Sequence, residues 1–411
     1  MDSDSARLEA LFKDLHRHPE LGFMETRTAA IVAKDLEALG FDVQSGIGRT
    51  GVVAVLKNGA GPTVMYRADM DANAVEEATG LPYASKVRVR REDGSESPVG
   101  HMCGHDVHVT WMLGMARAMV ALKDEWRGTL ILVGQPAEEL ILGAQAMVDD
   151  GLWTTRGLPK PDFLIALHTA PGPVGVVVSS GGPKMAGTDQ IDILFRGVGG
   201  HGSTPQFAKD PILMAAYAVT QFPAILSRLI EPQQTAVLTV GSIQAGADNN
   251  VIPSTALVKA NLRWYDPRVR EQLITGIRDV SNGMARTFGM PEDQLPVITM
   301  KGGSTPLVND EALAARLAVP LKALLGDANV VTQFPPATGS EDAHLLLGPH
   351  RDIPLNYMIV GVADPAVYAA ARKQGREVPY SLHNPDFVVD LAAIPIGVKV
   401  ATVAMLELFS R

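Results

Sequence analysis

Short apolar runs alternate with stretches of helical periodicity through the first part of the chain. Continuous apolar runs predict strands at residues 52–56, 63–67, 130–133 and 163–167. Apolar residues at helical spacing predict helices at residues 8–16, 26–39 and 111–122. Gly40 is placed to end the second of these helices. Strands that alternate with helices in this way predict an α/β domain with a mostly parallel sheet.

The pattern changes near residue 187. Strand-like alternation and helical periodicity then follow in the order strand, helix, strand, strand, helix, strand, at residues 190–195, 210–229, 236–240, 256–262, 268–288 and 296–300. This order is that of an α+β, ferredoxin-like βαββαβ unit. We therefore predict an inserted domain at residues 188–300. The α/β pattern resumes at residue 311, so the main domain comprises residues 1–187 and 301–411.

Composition limits the partners and the cellular location that this protein is expected to have. The formal net charge of -9 argues against a nucleic-acid partner, because no basic excess is available to neutralise phosphates. A basic run at residues 86–91 is followed by acidic residues and is interpreted as a solvated loop or edge strand. The single cysteine excludes an intrachain disulfide and favours the cytoplasm. No signal peptide is visible, and the apolar runs are shorter than the roughly 18 residues of a membrane span.

Metal-binding residue types are concentrated at residues 100–108, just before a predicted helix. Cys103 and His105 offer a thiolate and an imidazole, which are good ligands for borderline divalent ions. The alternative is a buried free cysteine among surface histidines. Glu138 and Glu139 follow the strand at 130–133. On an extended segment they would point to opposite sides, so that one binds metal and the other meets substrate and water.

Two further histidines also lie at promising places. His168 directly follows the strand at 163–167, and His383 stands in a polar loop near the end of the chain. Each by itself is as often structural as metal-binding, but their joint position with the other candidates favours a site at the carboxyl edge of the sheet. Asp71, after the strand at 63–67, is suited to orient a metal-bound histidine through a hydrogen bond.

The inserted domain has candidates of its own. His201 stands in a glycine-rich loop, Asn250 in a polar turn, and Arg263 after a strand. A histidine can stabilise an oxyanion and an arginine can hold a carboxylate. Each is equally well an ordinary loop or surface residue, and the pattern alone does not decide.

Taken in order, these pieces resemble the aminoacylase/carboxypeptidase family of dinuclear metallohydrolases. The similarity is strongest to its hippurate hydrolases, N-acyl-amino-acid amidohydrolases and indole-acetyl-amino-acid hydrolases, and it covers nearly the whole chain. It is carried by motifs at residues 15–22, 67–71, 101–106, 135–139, 199–202, 250–253, 339–342 and 382–385. One such motif would be weak, but eight in order are specific.

The resemblance implies a function for each candidate. It implies two divalent metal ions held by Cys103, His105, Glu139, His168 and His383. It implies Glu138 as general acid/base, His201 as the lid-domain histidine near the scissile carbonyl, and Asn250 and Arg263 near the substrate carboxylate. The inserted domain is then a lid that also mediates dimerisation. The expected reaction is hydrolysis of an N-acyl or N-aroyl amino acid to a carboxylate and an amino acid.

Several alternatives stay open. A dipeptidase or carboxypeptidase, a hydrolase of another C–N bond, and a non-catalytic binding protein would use the same fold. Manganese or zinc fits the ligands, and cobalt or nickel is compatible. Apparent insertions at residues 88–98 and 366–379, and Leu140, Ile141 and Leu142 in place of a glycine-rich turn, lie on loops expected to influence substrate choice.

Overall fold

The computed structural model describes residues 2–90 and 94–410. The chain forms two compact units. The first comprises Met1–Lys184, Val308–Pro335 and Asp342–Arg411, and the second comprises Met185–Leu307 and Pro336–Glu341. The predicted inserted domain, 188–300, lies inside the second unit.

The α-helices in the described part of the chain are α1 (Asp2–Arg17), α2 (Thr26–Ala38), α3 (His105–Ala121), α4 (Gly143–Asp149), α5 (Pro211–Ala224), α6 (Pro267–Thr287), α7 (Glu311–Leu325), α8 (Pro365–Lys373) and α9 (Ala393–Phe409). The strands are β1 (Asp42–Ile47), β2 (Gly51–Asn58), β3 (Thr63–Asp69), β4 (Arg88–Arg90), β5 (Glu96–Pro98), β6 (Gly128–Gln135), β7 (Phe163–Pro173), β8 (Val177–Val178), β9 (Gly182–Met185), β10 (Gly187–Arg196), β11 (Gly200–His201), β12 (Ala236–Ala245), β13 (Val251–Ile252), β14 (Thr255–Trp264), β15 (Val297–Ser304), β16 (Leu307–Asn309), β17 (Val330–Val331) and β18 (Leu355–Ala363).

The first unit is built on an eight-stranded sheet of order β1-β2-β6-β3-β7-β18-β8-β17. The central pairs β6–β3, β3–β7 and β7–β18 are parallel, whereas β1, β2 and β6 pair antiparallel. Nearly every residue of β3 and β6 is buried, which explains why these strands are continuous apolar runs. The predicted α/β class with a mostly parallel central sheet is confirmed.

Helix α3 is central to the core of this unit. Its residues from His105 to Ala116 are all buried, and it packs with α1, α9 and the strands in one hydrophobic cluster. A helix buried on all sides shows little amphipathic pattern, so its first turn, which includes His105, was not predicted from periodicity.

The second unit has an antiparallel sheet of order β12-β14-β10-β15. With α5 after β10 and α6 after β14, the chain order is βαββαβ, as in the ferredoxin-like unit predicted for this part. The helical segment 211–229 is long enough and apolar enough to cross a membrane, judged by length and composition alone. Met214, Ala218 and Phe222 of this helix nevertheless lie in the core of the second unit.

The two segments interpreted as insertions contain regular secondary structure. The segment 88–98 contains the two-stranded antiparallel sheet β4–β5, and its residues 91–93 lie outside the described residues. The basic run that begins at Lys86 thus includes a short, largely exposed strand. The segment 366–379 supplies most of α8.

Candidate metal centre

Three parallel strands bring the candidates to one edge of the sheet. The last residue of β3, Asp69, is in register with the last residue of β6, Gln135. His168 lies within the neighbouring strand β7, which continues to Pro173, so the expectation that it directly follows a strand was wrong. Because carboxyl ends of parallel strands share an edge, the polar residues that follow β3 and β6 converge there. The first turn of α3 adds His105 to the same edge.

The converging side chains form overlapping groups of donor atoms. Ligand atoms of Cys103, Glu139 and His383 lie within 4.8 Å of one another, and those of His105, Glu138 and Glu139 do the same. Glu139 belongs to both groups. Its Oε1 lies 3.3 Å from His383 Nε2 and 3.8 Å from His105 Nε2. Cys103 Sγ lies 3.6 Å from His168 Nε2.

Backbone geometry brings His383 to this group from far along the chain. The His383 N–H donates to the carbonyl of Met102, next to Cys103, over 2.7 Å. His383 itself has a φ of 61°, in the left-handed region that non-glycine residues rarely adopt. Such a conformation at a polar loop residue is typical of a functional site.

The electrostatics of the cluster fit a bound cation. Burial lowers the pKa of His105, but the surrounding carboxylates of Asp69, Asp71 and Glu139 outweigh it and raise this pKa to about 10. Burial and the same excess of negative charge raise the pKa of the Cys103 thiol well above its ordinary value. His105 Nε2 is buried without a hydrogen-bond partner. A divalent ion would satisfy this nitrogen and stabilise the thiolate.

The turn that carries the two glutamates is not extended. Residues Glu138–Leu140 form a single 3₁₀ turn, so the expectation that adjacent side chains alternate along an extended segment was wrong. The turn is held by Asp71, whose Oδ1 and Oδ2 accept the backbone N–H groups of Glu138 and Glu139, each over 3.0 Å. Asp71 Oδ1 also lies 3.4 Å from His105 Nδ1.

The hydrogen bonds of two histidines fix which ring nitrogen carries the proton. His168 Nδ1 lies 2.8 Å from the carbonyl of Thr169, which can only accept, so the neutral ring carries its proton on Nδ1, and Nε2 lies 3.6 Å from Cys103 Sγ. The N–H of Thr169 donates to His108 Nε2, so His108 Nδ1 donates to Asp69, over 2.5 Å. His108 thus uses both nitrogens within the protein.

Asp69 and His108 are the residues that the sequence interpretation left without a role. Asp69 stands in the motif at residues 67–71 and ends a strand, and His108 stands in the cluster at residues 100–108, which were the available signals. Arg67 Nη1 donates to Asp69 Oδ2 over 2.6 Å, and His108 Nδ1 donates to Asp69 Oδ1, so both oxygens of the carboxylate are held. Asp69 Oδ2 also lies 3.6 Å from His105 Nε2. Asp69 and His108 are therefore placed to orient the His105 side chain.

The remaining candidates belong to the second unit. His201 in β11 is in register with Val251 of β13, and the carbonyl of Asn250 accepts the Gly202 N–H over 2.8 Å. The Ser203 N–H donates to His201 Nδ1 over 3.1 Å, so the neutral ring carries its proton on Nε2. Arg263 lies within β14 and not after it as expected, and its Nε donates to Asn261 Oδ1 over 2.8 Å.

Comparison with known proteins places this site in a family. Residues 65–407 match the model of peptidase family M20/M25/M40. The chain belongs to this family. A hippurate hydrolase from Campylobacter jejuni is 36% identical over 340 residues, covering 81% of this chain and 83% of the relative. An N-acetyl-L-cysteine deacetylase from Bacillus subtilis is 32% identical over 390 residues, covering 94% and 85%.

A solved structure agrees with this family membership. The YXEP protein of Bacillus subtilis, described as a dinuclear metal binding peptidase of family M20, superposes with a TM-score of 0.74. It is 25% identical, with 99% of this chain and 98% of that chain covered. The resemblance inferred from the motifs is therefore confirmed, and this member of the family is a metal-dependent hydrolase.

Proposed function

We propose that this family member hydrolyses the amide bond of an N-acyl or N-aroyl amino acid with the help of two divalent ions. The observation that carries the proposal is the pair of donor groups that share Glu139, one with Cys103 and His383 and the other with His105 and Glu138. Two groups of donors that meet at one carboxylate are suited to a two-metal site. The relatives named hippurate hydrolase and N-acetyl-L-cysteine deacetylase support the substrate class.

The proposed donors are Cys103, His105, Glu139, His168 and His383. Mixed thiolate, imidazole and carboxylate ligands suit manganese or zinc, and also cobalt or nickel. Ions bound there would lower the pKa of a water molecule and polarise the substrate carbonyl. The tautomer of His168 leaves Nε2 available for this task without any rearrangement.

Glu138 is proposed as the general acid/base. It is buried, its backbone N–H is fixed by Asp71, and its Oε2 lies 3.9 Å from His105 Nε2. Its carboxylate takes a proton from the attacking water while the oxygen bonds to the carbonyl carbon. It then gives that proton to the leaving nitrogen as the C–N bond breaks. One water is consumed, and a carboxylate and an amine are released.

Residues of the second unit complete the proposal. His201, with its proton on Nε2, would donate to the oxyanion that forms on the substrate carbonyl. Asn250 and Arg263 would bind the carboxylate of the amino-acid part. A guanidinium is suited to this because it donates two parallel hydrogen bonds to a carboxylate.

We further propose a homodimer formed through the second unit. Helix α5 exposes Ile212, Leu213 and Tyr217, and the edge strand β12 exposes Ile243. An exposed apolar face beside an open strand edge is typical of a subunit interface. A cytoplasmic location agrees with a lone cysteine used as a metal ligand.

The decisive experiment is Glu138→Gln in protein reconstituted with manganese or zinc. The variant should keep its metal content and lose activity by about 10²–10⁴-fold, because general acid/base catalysis contributes that much. Wild-type rates in the variant would refute the role of Glu138. A parallel panel of N-acyl amino acids and dipeptides identifies the substrate. Preference for dipeptides would replace the proposal by a peptidase, and full metal loading without turnover on any amide would indicate a binding protein.

A further inference from the structure

We propose that Glu25 is a positioning residue that holds the turn carrying Glu138 and Glu139 in its productive conformation. The inference rests on the role proposed above for Glu138. Glu25 stands just before α2 in the sequence, and its carboxylate accepts hydrogen bonds from Thr50 and Ala137, so its contribution would be indirect.

The turn presents three consecutive backbone N–H groups to buried carboxylates. Glu25 Oε1 accepts the N–H of Ala137 over 2.7 Å, and Asp71 accepts those of Glu138 and Glu139. The first N–H groups of a helical turn have no partner within the turn. Charged acceptors give them strong hydrogen bonds, so these two carboxylates together define where the turn begins.

The backbone of the turn is strained. Ala137 has a φ of 48° and Ile141 a φ of 55°, so two non-glycine residues in the left-handed region flank the turn. This conformation is unfavourable for an L-residue and most unfavourable for a β-branched one. Strained residues persist only where the surroundings hold them, and the hydrogen bond to Glu25 holds the first of the two.

The Glu25 side chain is itself held in place. It is fully buried, and its Oε2 accepts the hydroxyl of Thr50 over 2.5 Å. Burial and the negative charge of Asp71 raise the pKa of Glu25 to about 7, although the hydrogen bonds from Thr50 and Ala137 oppose the rise. A buried carboxylate whose hydrogen bond ends on the turn before Glu138 is placed to position that turn.

The test compares Glu25→Ala, Ala137→Gly and the double variant. Glu25→Ala should lower kcat by about 10–100-fold with little change in KM, as when other residues that orient metal ligands are replaced. It should also weaken binding of zinc to the metal-free protein, measured by calorimetry. Glycine adopts positive φ without strain, so adding Ala137→Gly to Glu25→Ala should restore part of both losses.

Two further variants make the result specific. Glu25→Gln keeps an oxygen that accepts the Ala137 N–H and should stay close to wild type. Glu20→Ala is the matched control, because Glu20 lies in the same loop but accepts the N–H groups of Arg27 and Thr28 at the start of α2. It should lower stability without changing kcat. If Glu25→Ala does not fold, Glu25→Asp, which shortens the reach, should give the same direction of change.

The outcomes separate this proposal from the proposed function. If Glu138→Gln is inactive but Glu25→Ala keeps kcat and zinc affinity, the positioning role is wrong and the function stands. Failure of Ala137→Gly to restore any activity, or an equal loss in Glu20→Ala, also overturns the positioning role. If Glu138→Gln is fully active, the proposed function fails and the positioning role fails with it.

Discussion

A buried histidine that contacts the first turn of α3 predicts how the stability of this protein depends on pH. His16 Nδ1 lies 2.6 Å from Asp106 Oδ2 and its Nε2 lies 3.1 Å from Glu77 Oε1. Burial by itself lowers the pKa of His16, but the hydrogen bonds to Asp106 and Glu77 and their negative charges outweigh it and raise the pKa to about 9. His16 is therefore an imidazolium that donates to both carboxylates near neutral pH.

The magnitude follows from the difference between the folded and unfolded pKa values. A pKa that rises from 6.5 to about 9 on folding corresponds to about 3 kcal/mol of stability, at about 1.4 kcal/mol per pH unit. Because the folded pKa is the higher one, this stability is fully present below about pH 6.5. It falls to less than half of that value by pH 8 and is largely lost by pH 9.

The assay is denaturant unfolding of the metal-free protein and of His16→Gln at several pH values between about 6 and 9.5. The variant should be less stable by about 3 kcal/mol at the acidic end, and the difference should shrink as pH rises. His18→Gln, the same change two residues away at a partly exposed position, is the control for the substitution itself. A stability difference that does not vary across this pH range would refute the reasoning.

Three other changes test the site. Cys103→Ala should lose metal and activity together, measured by metal analysis and turnover, and a fully metallated, active variant would refute the site. His108→Ala leaves the buried N–H of Thr169 without its acceptor. The variant should be less stable by about 2–5 kcal/mol, measured by denaturant unfolding. It should also bind zinc about 10-fold or more weakly, measured by calorimetry. Gly143→Ala would place a methyl group against the carbonyl oxygen of Pro136. The clash should displace the Glu138–Leu140 turn, so activity should fall although the substitution is small. Unchanged kinetics would show that the turn can relax.

Much of the fold could be predicted because its signals are local. The buried strands β3, β6 and β7 are continuous apolar runs, and the change of pattern near residue 187 marks a second unit with βαββαβ order. The conformation of the Glu138–Leu140 turn could not be predicted. Its 3₁₀ geometry depends on a carboxylate 112 residues away in sequence, and no local preference favours Ala137 or Ile141 at positive φ.

The sequence by itself determined which chemical groups this protein offers, because thiolate, imidazole and carboxylate residues stand at fixed places in short motifs. Only the tertiary structure decided which atoms face one another. It placed His108 between Asp69 and Thr169, set the proton of His168 on Nδ1, and brought Glu25 to the catalytic turn. These are hydrogen bonds, and a hydrogen bond depends on distance and direction, which the packing of distant elements sets.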